Sequence, residues 1–177
     1  MDMELTEKTL TQQTVYSGKI LSVNRDTVLL PNGHESVREV VRHMAGVCIL
    51  PVDENEDVYL VSQFRYPYAA TLLELPAGKL ENGEDKLECA MRELKEETGL
   101  TAGKFEYMGE IYPSPGYTDE VIHLYLATDL KRSAPSPDED EFLNVKVVNV
   151  FKLTKMISKN QIKDAKTLIA LMRYNLK

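Results

Sequence analysis

The sequence predicts a mixed α/β sandwich, and three observations support this fold class. Strand-like segments rich in β-branched residues fill the first quarter of the chain, an amphipathic helix follows near the middle, and a second one closes the sequence. Strands that come first, rather than alternating with helices, favour this class over a doubly wound parallel sheet. With 177 residues, we expect an N-terminal β-strand region over 1–43 and one main domain over 44–177.

Composition and charge narrow the class of protein further. Hydrophobic residues make up 43% and charged residues 28%, which is ordinary for a globular protein. The formal net charge of −7 disfavours nucleic acid and anionic membranes as partners. Because no apolar run approaches the length of a spanning helix and the first ten residues do not resemble a signal peptide, we expect a cytoplasmic protein. Cys48 and Cys89 lie in apolar surroundings without a CxxC pair, so we expect buried, reduced thiols.

Two hairpins are expected in the first third of the chain. The β-branched runs Lys19–Leu30 and Ser36–His43 flank Pro-Asn-Gly, a strong turn signal. Val47–Val52 and Val58–Phe64 flank an acidic turn in the same way. The strand Val47–Val52 is almost entirely apolar, which indicates a central position in a sheet.

Helical spacing begins after these strands. Residues Glu84–Glu97 repeat apolar side chains at helical intervals, and Gly99 suits a left-handed residue at the helix end. The expected buried stripe consists of Leu87, Ala90, Met91 and Leu94.

The second half is expected to contain three more strands and the closing helix. Phe105–Tyr112 and Val121–Ala127 are strand-like, and the Pro- and Gly-containing connection 113–120 between them is a candidate functional loop. Phe142–Phe151 is predicted as a strand and Asp164–Leu176 as an amphipathic helix.

Three carboxylates lie along one edge of the predicted buried stripe. On a helical wheel, Glu93, Glu96 and Glu97 fall within about 100° of one another. Like charges at this spacing destabilise a helix, and a bound hard cation such as Mg²⁺ or Mn²⁺ would remove that cost. The spacing alone also fits a solvated acidic face in which Arg92 pairs with Glu88 and Glu96.

The wider pattern around this helix is specific. The chain contains Gly78, five residues, Glu84, seven residues, then Arg92-Glu93-Leu94, one residue, Glu96-Glu97, one residue and Gly99-Leu100. This is G-x5-E-x7-R-E-U-x-E-E-x-G-U with U aliphatic, and the chain therefore resembles the Nudix hydrolase family at every defined position. Seven fixed identities would agree by chance at about 10⁻⁸ per starting point.

The resemblance implies a fold, a reaction and a metal site. It implies an α/β/α sandwich with a mixed sheet, and Mg²⁺- or Mn²⁺-dependent hydrolysis of a nucleoside diphosphate linked to another moiety. Glu93 and Glu97 would be the principal metal ligands, with Glu96 a further ligand or water-mediated contact and the carbonyl of Ala77 an additional oxygen. The resemblance also assigns Glu96, Glu97 and Arg92 to catalysis. Arg92 would orient the glutamates rather than contact the substrate. Gly78 would allow a tight turn, and Glu84 would hold the loop and helix together.

Segments outside this box resemble the ADP-ribose pyrophosphatase subgroup. Pro115, in Ser114-Pro115-Gly116, follows Gly99 by sixteen positions, as in that subgroup. The segments 63–65 (Gln-Phe-Arg), 74–78 (Glu-Leu-Pro-Ala-Gly) and 138–141 (Asp-Glu-Asp-Glu) are similar as well. The likeness implies hydrolysis of ADP-ribose to AMP and ribose 5-phosphate.

The same likeness assigns residues to the substrate. Arg65 would contact the diphosphate through its planar guanidinium, and Gln63 and Ser114 would bind substrate. Glu120 would be the general base, or would order the attacking water, with neighbouring Asp119 as its rival.

Relatives in this subgroup exchange N-terminal strands between subunits. The resemblance therefore implies a homodimer built from residues 1–43, in which the partner chain helps to hold adenine. The matching positions are Ile20 beside Lys19 and Glu39 beside Arg38.

Two alternatives remain open at this stage. One is hydrolysis of another nucleotide sugar, a dinucleoside polyphosphate, or a flavin or nicotinamide dinucleotide. The other is a non-catalytic module that senses ADP-ribose and regulates a partner. A sensing module does not need three glutamates, and the chain lacks the basic appended domain of a DNA-binding regulator.

Overall fold

A computed structural model describes residues 4–133 and 142–176. Residues 138–141, which resemble the ADP-ribose pyrophosphatase subgroup, therefore lie outside the described residues. The strands are β1 (Lys8–Thr11), β2 (Thr14–Ser17), β3 (Leu21–Leu29), β4 (Glu35–His43), β5 (Gly46–Pro51), β6 (Asp57–Arg65), β7 (Ala70–Glu74), β8 (Ala77–Lys79), β9 (Leu100–Ile111), β10 (Ile122–Arg132) and β11 (Leu143–Asn149). The α-helices are α1 (Lys86–Thr98), α2 (Val150–Ser158) and α3 (Ala165–Asn175).

The chain divides into two compact units. The N-terminal unit comprises residues 1–44 together with 114–121, and the main unit comprises residues 45–113 and 122–177. In the N-terminal unit, β3 pairs antiparallel with β1, β2 and β4. The predicted β3–β4 hairpin is confirmed, and Gly33 in its turn has a φ of 83°, a left-handed conformation that favours glycine.

The main unit contains a mixed sheet of order β8-β5-β10-β9 and an antiparallel sheet of order β11-β6-β7. β5 is buried along its whole length and pairs antiparallel with β8 and parallel with β10. The predicted second hairpin is wrong, because β5 and β6 share only the bridge from Val52 to Val58 and enter different sheets. With β8 and β10 on its two edges, β5 has no edge left for β6.

Alternate residues of β5 enter two separate hydrophobic cores. Val47 and Ile49 pack with buried residues of α1, whereas Cys48 and Leu50 pack with buried residues of α3. Helices therefore cover both faces of the mixed sheet, which is the α/β/α sandwich that the family resemblance implies.

The helix α1 begins after Asp85, whose carboxylate accepts hydrogen bonds from the N–H groups of Leu87 and Glu88, and ends at Gly99 with a φ of 66°. The expected buried stripe is partly wrong, since Leu87 is 38% and Met91 50% exposed. The buried positions of α1 are instead Cys89, Ala90, Glu93, Leu94 and Glu97. Two of the candidate metal ligands thus lie in the middle of the buried face rather than along its edge.

The end of the chain differs in one element from the prediction. The predicted strand Phe142–Phe151 ends at Asn149, whose side chain accepts from the N–H of Phe151 and begins the unpredicted helix α2. The predicted closing helix is confirmed as α3, with Asp164 at its N-cap. Within 4–133 and 142–176, no helix is long and apolar enough to cross a membrane.

Candidate active site

Arg92 connects three carboxylates of the main unit. Its Nε and Nη2 donate to the two oxygens of Glu84 at 2.8 and 3.0 Å, and its Nη1 donates to Glu93 and Glu96 at 2.8 and 2.9 Å. The hydrogen bonds to Glu84, with the charge of Glu93 and the hydrogen bonds to Glu96 and Glu93, raise the pKa of Arg92 above its usual value although burial opposes the shift. Hydrogen bonding to Arg92 in turn lowers the pKa of Glu84 to about 2. Arg92 and Glu84 are therefore both charged near neutral pH, and the hydrogen bonds from Arg92 fix the directions of Glu84, Glu93 and Glu96.

The backbone of β8 approaches the buried face of α1 closely. A Cβ added to Gly78 would lie 1.8 Å from Oε1 of Glu93, so any other residue at this position would displace that carboxylate. The φ of Gly78 is not in the left-handed region, so close approach, not the expected tight turn, accounts for the glycine. The N–H of the neighbouring Ala77 donates to Oε2 of Glu97 at 2.9 Å.

This arrangement fits a hard divalent cation. Glu93, Glu96 and Glu97 supply carboxylate oxygens on consecutive turns of α1, and Ala77 lies in the strand that contacts Glu97. Across 4–133 and 142–176, no three His, Cys, Asp or Glu side chains already converge tightly enough to hold an ion. Mg²⁺ typically binds one or two carboxylates and completes its shell with water and substrate phosphates. The donor set therefore suits a metal that binds together with a phosphate ester.

Arg65 is held by a buried carboxylate that the sequence did not single out for a role. Its Nε and Nη2 donate to the two oxygens of Glu74, each at 2.8 Å, and Lys166 also donates to Glu74. Glu74 is only 1% exposed. A charged residue inside the apolar run Leu72–Pro76 was the available signal, because such a residue is buried only with partners. Gln63 is half-buried on the same face of β6 as Arg65.

In the N-terminal unit, the loop 114–121 is attached to the end of β4. Asp119 accepts from the N–H of His43 at 3.0 Å and from Nη1 of Arg42 at 3.1 Å, and its own N–H donates to the carbonyl of Val41. Glu120 approaches Nδ1 of His43 at 3.5 Å. Ser114 is half-buried, and its carbonyl accepts two N–H groups in the turn that opens the loop.

The four positions matched to adenine binding do not form one cluster within the chain. Lys19 and Ile20 precede β3, and Ile20 is 57% exposed. Glu39 is exposed in the middle of β4, where the backbone of the neighbouring Arg38 pairs with Asp26 of β3. The Arg38 guanidinium forms an ion pair with Glu7.

Two family models match the chain, and the boundary between them lies near residue 42, close to the end of the N-terminal segment 1–44. The model described as the NUDIX domain matches residues 42–171. The model described as the nucleoside diphosphate sugar hydrolase N-terminal domain matches residues 7–41.

Curated relatives cover most of the chain. An ADP-ribose pyrophosphatase of Bacillus subtilis (strain 168) is 41% identical, over 98% of this chain and 95% of its own length. A methanol dehydrogenase activator of Bacillus methanolicus is 39% identical, over 96% and 93%. An ADP-ribose pyrophosphatase of Mycobacterium tuberculosis is also 39% identical, over 70% of this chain and 60% of its own length.

The fold also matches a solved structure. A crystal structure of an ADP compounds hydrolase superimposes with a TM-score of 0.89, covering 99% of this chain and 96% of that one. At 22% sequence identity, this likeness establishes the fold alone.

Proposed function

Because this chain belongs to the Nudix hydrolase family, we propose that it hydrolyses the pyrophosphate bond of ADP-ribose to AMP and ribose 5-phosphate. The observation that carries the chemistry is the cluster of Glu84, Glu93 and Glu96 around Arg92, with Glu97 held by the backbone of β8. The choice of ADP-ribose is supported by the 41% identical relative.

The reaction adds water across the diphosphate. The water oxygen forms a bond to one phosphorus, the bond from that phosphorus to the bridging oxygen breaks, and each product leaves as a phosphate monoester. A divalent cation, which we assign as Mg²⁺ with Mn²⁺ as a substitute, would neutralise the phosphate oxygens and lower the pKa of the attacking water. Glu93 and Glu97 would hold it, with Glu96 and the Ala77 carbonyl as further oxygens, while Arg92 keeps the glutamates in place.

On the substrate side, the guanidinium of Arg65 binds oxygens of the diphosphate, and Gln63 and Ser114 contact the rest of the molecule. Arg65 suits this role because a guanidinium offers paired donors to phosphate oxygens and remains charged at any working pH.

Glu120 is the better candidate for the loop acid. Both oxygens of Asp119 already accept hydrogen bonds, one from the backbone of His43 and one from Arg42. Burial raises the pKa of Asp119, but these hydrogen bonds outweigh it, and the net shift is downward. A carboxylate with a lowered pKa is a weaker base, so Asp119 anchors the loop while Glu120 accepts the proton of the attacking water.

The active protein is a homodimer with exchanged N-terminal strands. The segment matched by the nucleoside diphosphate sugar hydrolase N-terminal domain supports a distinct role for residues 7–41. In the dimer, Ile20, Arg38 and Glu39 contribute to adenine binding, and Lys19 lies beside them. The N-terminal region ends near residue 43, where the main domain begins.

The test measures hydrolysis of ADP-ribose with Mg²⁺ or Mn²⁺ as the amount of AMP released. It compares wild type with Glu97→Gln and Glu120→Gln. We expect AMP from wild type, none from Glu97→Gln, and a decrease of about 10³-fold in Glu120→Gln. A panel with other nucleotide sugars, dinucleoside polyphosphates and nicotinamide or flavin dinucleotides fixes the substrate. Equal kcat/KM across the panel would remove the ADP-ribose assignment.

A second candidate function is activation of an alcohol-oxidising dehydrogenase, favoured by the 39% identity to the methanol dehydrogenase activator. Its test measures the rate of methanol oxidation by a methanol dehydrogenase with and without this chain. Stimulation by wild type but not by Glu97→Gln would join both functions in one hydrolytic site, and no stimulation would leave pyrophosphate hydrolysis alone.

A further inference from the structure

Four charged side chains form a connected series of ion pairs inside the main unit. Glu74 accepts both donors of one edge of the Arg65 guanidinium, each at 2.8 Å. Lys166 donates to the same carboxylate and, at 2.9 Å, to Asp164 at the N-cap of α3. This series of ion pairs therefore connects the closing helix α3 to Arg65, which the proposed function places at the diphosphate.

This series of ion pairs is unusual because its two middle residues, Glu74 and Lys166, are buried. The Glu74 side chain is 2% and the Lys166 side chain 10% exposed, whereas 39% of the Arg65 side chain reaches solvent. Burying a carboxylate and an ammonium costs solvation that their attraction often fails to recover, so an apolar pair would stabilise a core equally well. Stability alone therefore does not account for a glutamate at position 74.

The geometry shows what the buried charges do to Arg65. A fork with two equal distances fixes the plane of the guanidinium, so only rotation of the whole group could redirect it. Lys166 binds the same carboxylate from the side of α3 and keeps Glu74 from following Arg65. The exposed end of the arginine is thus held in one orientation before any ligand arrives.

A second contact ties the same helix to the metal side of the site. Thr167, next to Lys166, accepts the N–H of Leu75 at 2.8 Å, and two residues after Leu75 the N–H of Ala77 donates to Glu97. The first turn of α3 therefore anchors the segment that connects Glu74 to the strand against the glutamates of α1. One short segment sets the positions of both Arg65 and the candidate metal ligands.

We propose that Glu74 is a positioning residue for the hydrolytic reaction, held by Lys166 and acting through Arg65. The proposal rests on the proposed function, since it requires that Arg65 bind the diphosphate. Pre-orienting a charged donor removes the entropy cost of ordering it when substrate binds.

A double-mutant cycle tests this mechanism. We expect kcat/KM for ADP-ribose to fall about 100-fold in Arg65→Ala and about tenfold in Glu74→Gln, chiefly through KM in the second variant. In the Arg65→Ala background, Glu74→Gln should lower kcat/KM by less than about twofold, because the group it positions is gone. A tenfold decrease in both backgrounds would mean that Glu74 supports only the general structure, and would overturn the proposal.

Controls separate folding from positioning. Glu56→Gln is the matched control, because Glu56 also bonds to α3, accepting from the hydroxyl of Tyr174 at 2.8 Å, but lies on an exposed turn. It should leave kcat/KM within twofold of wild type. If Glu74→Gln does not fold, Glu74→Asp keeps the charge, loses the fork geometry, and is used in the same cycle with melting temperatures measured alongside.

The outcomes also distinguish this inference from the proposed function. Turnover by wild type with additive effects in the cycle overturns the positioning role alone. If wild type does not hydrolyse ADP-ribose, the proposed function fails, and the cycle is measured on the Kd for ADP-ribose. Coupling between Arg65 and Glu74 in that Kd would support positioning for binding, and its absence, or no binding at all, would overturn both.

Discussion

At the scale of single residues, Gly78 in the main unit and Asp119 in the N-terminal unit each have a clear physical role. Gly78 leaves room for the carboxylate of Glu93 against the backbone of β8. Asp119 uses both of its oxygens to attach the loop 114–121 to β4. Neither role depends on direct chemistry with substrate, and each leads to a measurable consequence.

Replacing Gly78 with alanine should lower the rate of hydrolysis about 100-fold. Its Cβ would lie 1.8 Å from Oε1 of Glu93, so the carboxylate must move by an ångström or more. A displacement of that size typically costs about 100-fold in rate, which assays of AMP release would detect. Gly103→Ala is the control, because its Cβ would meet only Asp129 of an exposed strand, 3.0 Å from the Cβ and 3.7 Å from the carbonyl oxygen. Full activity of Gly78→Ala would contradict the assigned role of Glu93.

Asp119→Asn and Glu120→Gln should differ in size of effect. Loss of the Asp119 charge weakens its hydrogen bonds to Arg42 and His43 and loosens the loop, for which we expect about a tenfold lower kcat/KM. Glu120→Gln removes the proposed general base and should cost about 10³-fold in kcat/KM. Steady-state kinetics on both variants compare the two decreases in kcat/KM. A larger decrease in Asp119→Asn would make Asp119, rather than Glu120, the loop acid.

At the scale of elements, α1 carries the candidate metal ligands and is capped at both ends. Asp85 accepts from Leu87 and Glu88 at 2.8 and 3.3 Å, and Gly99 takes the left-handed position. The helix would keep its register without the Asp85 cap, because Ala90 and Leu94 of α1 are fully buried. Stability and catalysis should therefore respond differently when that cap is removed.

Asp85→Ala should lower the free energy of unfolding by about 1 kcal/mol, which is the usual cost of losing an N-cap carboxylate. We expect kcat to change by less than about twofold, since Arg92 and the glutamates keep their contacts. Urea denaturation and AMP release measure the two quantities, and Asp85→Ser should restore most of the lost stability. A large decrease in kcat would show that the first turn of α1 also positions the site.

The sequence predicts elements well where local periodicity sets them. The β3–β4 hairpin, α1 and α3 are confirmed because turn residues, caps and apolar spacing all agree. The expected pairing of β5 with β6 is wrong because pairing partners are chosen by the whole sheet, and a short connection does not reveal them. The stripe on α1 is partly wrong because Arg92 and the backbone of β8 bring two glutamates into the buried face.

The site is predictable to a similar extent. The fixed spacing of the Nudix box places Arg92 and its glutamates together on one helix, and the structure gives their hydrogen bonds directly. The contact between Glu74 and Lys166 joins positions 92 residues apart in sequence, so no local pattern contains it. What the sequence offers there is only a charged residue inside an apolar run.

At the scale of the whole molecule, buried carboxylates link folding to pH. Burial raises the pKa of Glu74, but hydrogen bonds and charge from Arg65 and Lys166 outweigh it and lower the pKa from 4.5 to about 2. Because the folded pKa lies below the unfolded one, this group stabilises the fold above pH 4.5 and loses that contribution as pH falls towards 2. The contribution is on the order of 3 kcal/mol.

The free energy of unfolding of wild type should therefore fall steeply between pH 4.5 and 2, and Glu74→Gln should give a shallower decrease over the same window. The variant starts from a lower stability at pH 7, because Arg65 and Lys166 lose the negative charge of Glu74, so the two curves should converge in acid. Urea denaturation at intervals from pH 7 to 2 measures this convergence. Glu84, whose pKa is also lowered to about 2, bonds to Arg92 rather than to this cluster, so its contribution cancels in the difference. Parallel curves would mean that the ion pairs of Glu74 do not lower its pKa in the folded protein. That result would remove the electrostatic reason for Glu74 to fix the orientation of Arg65.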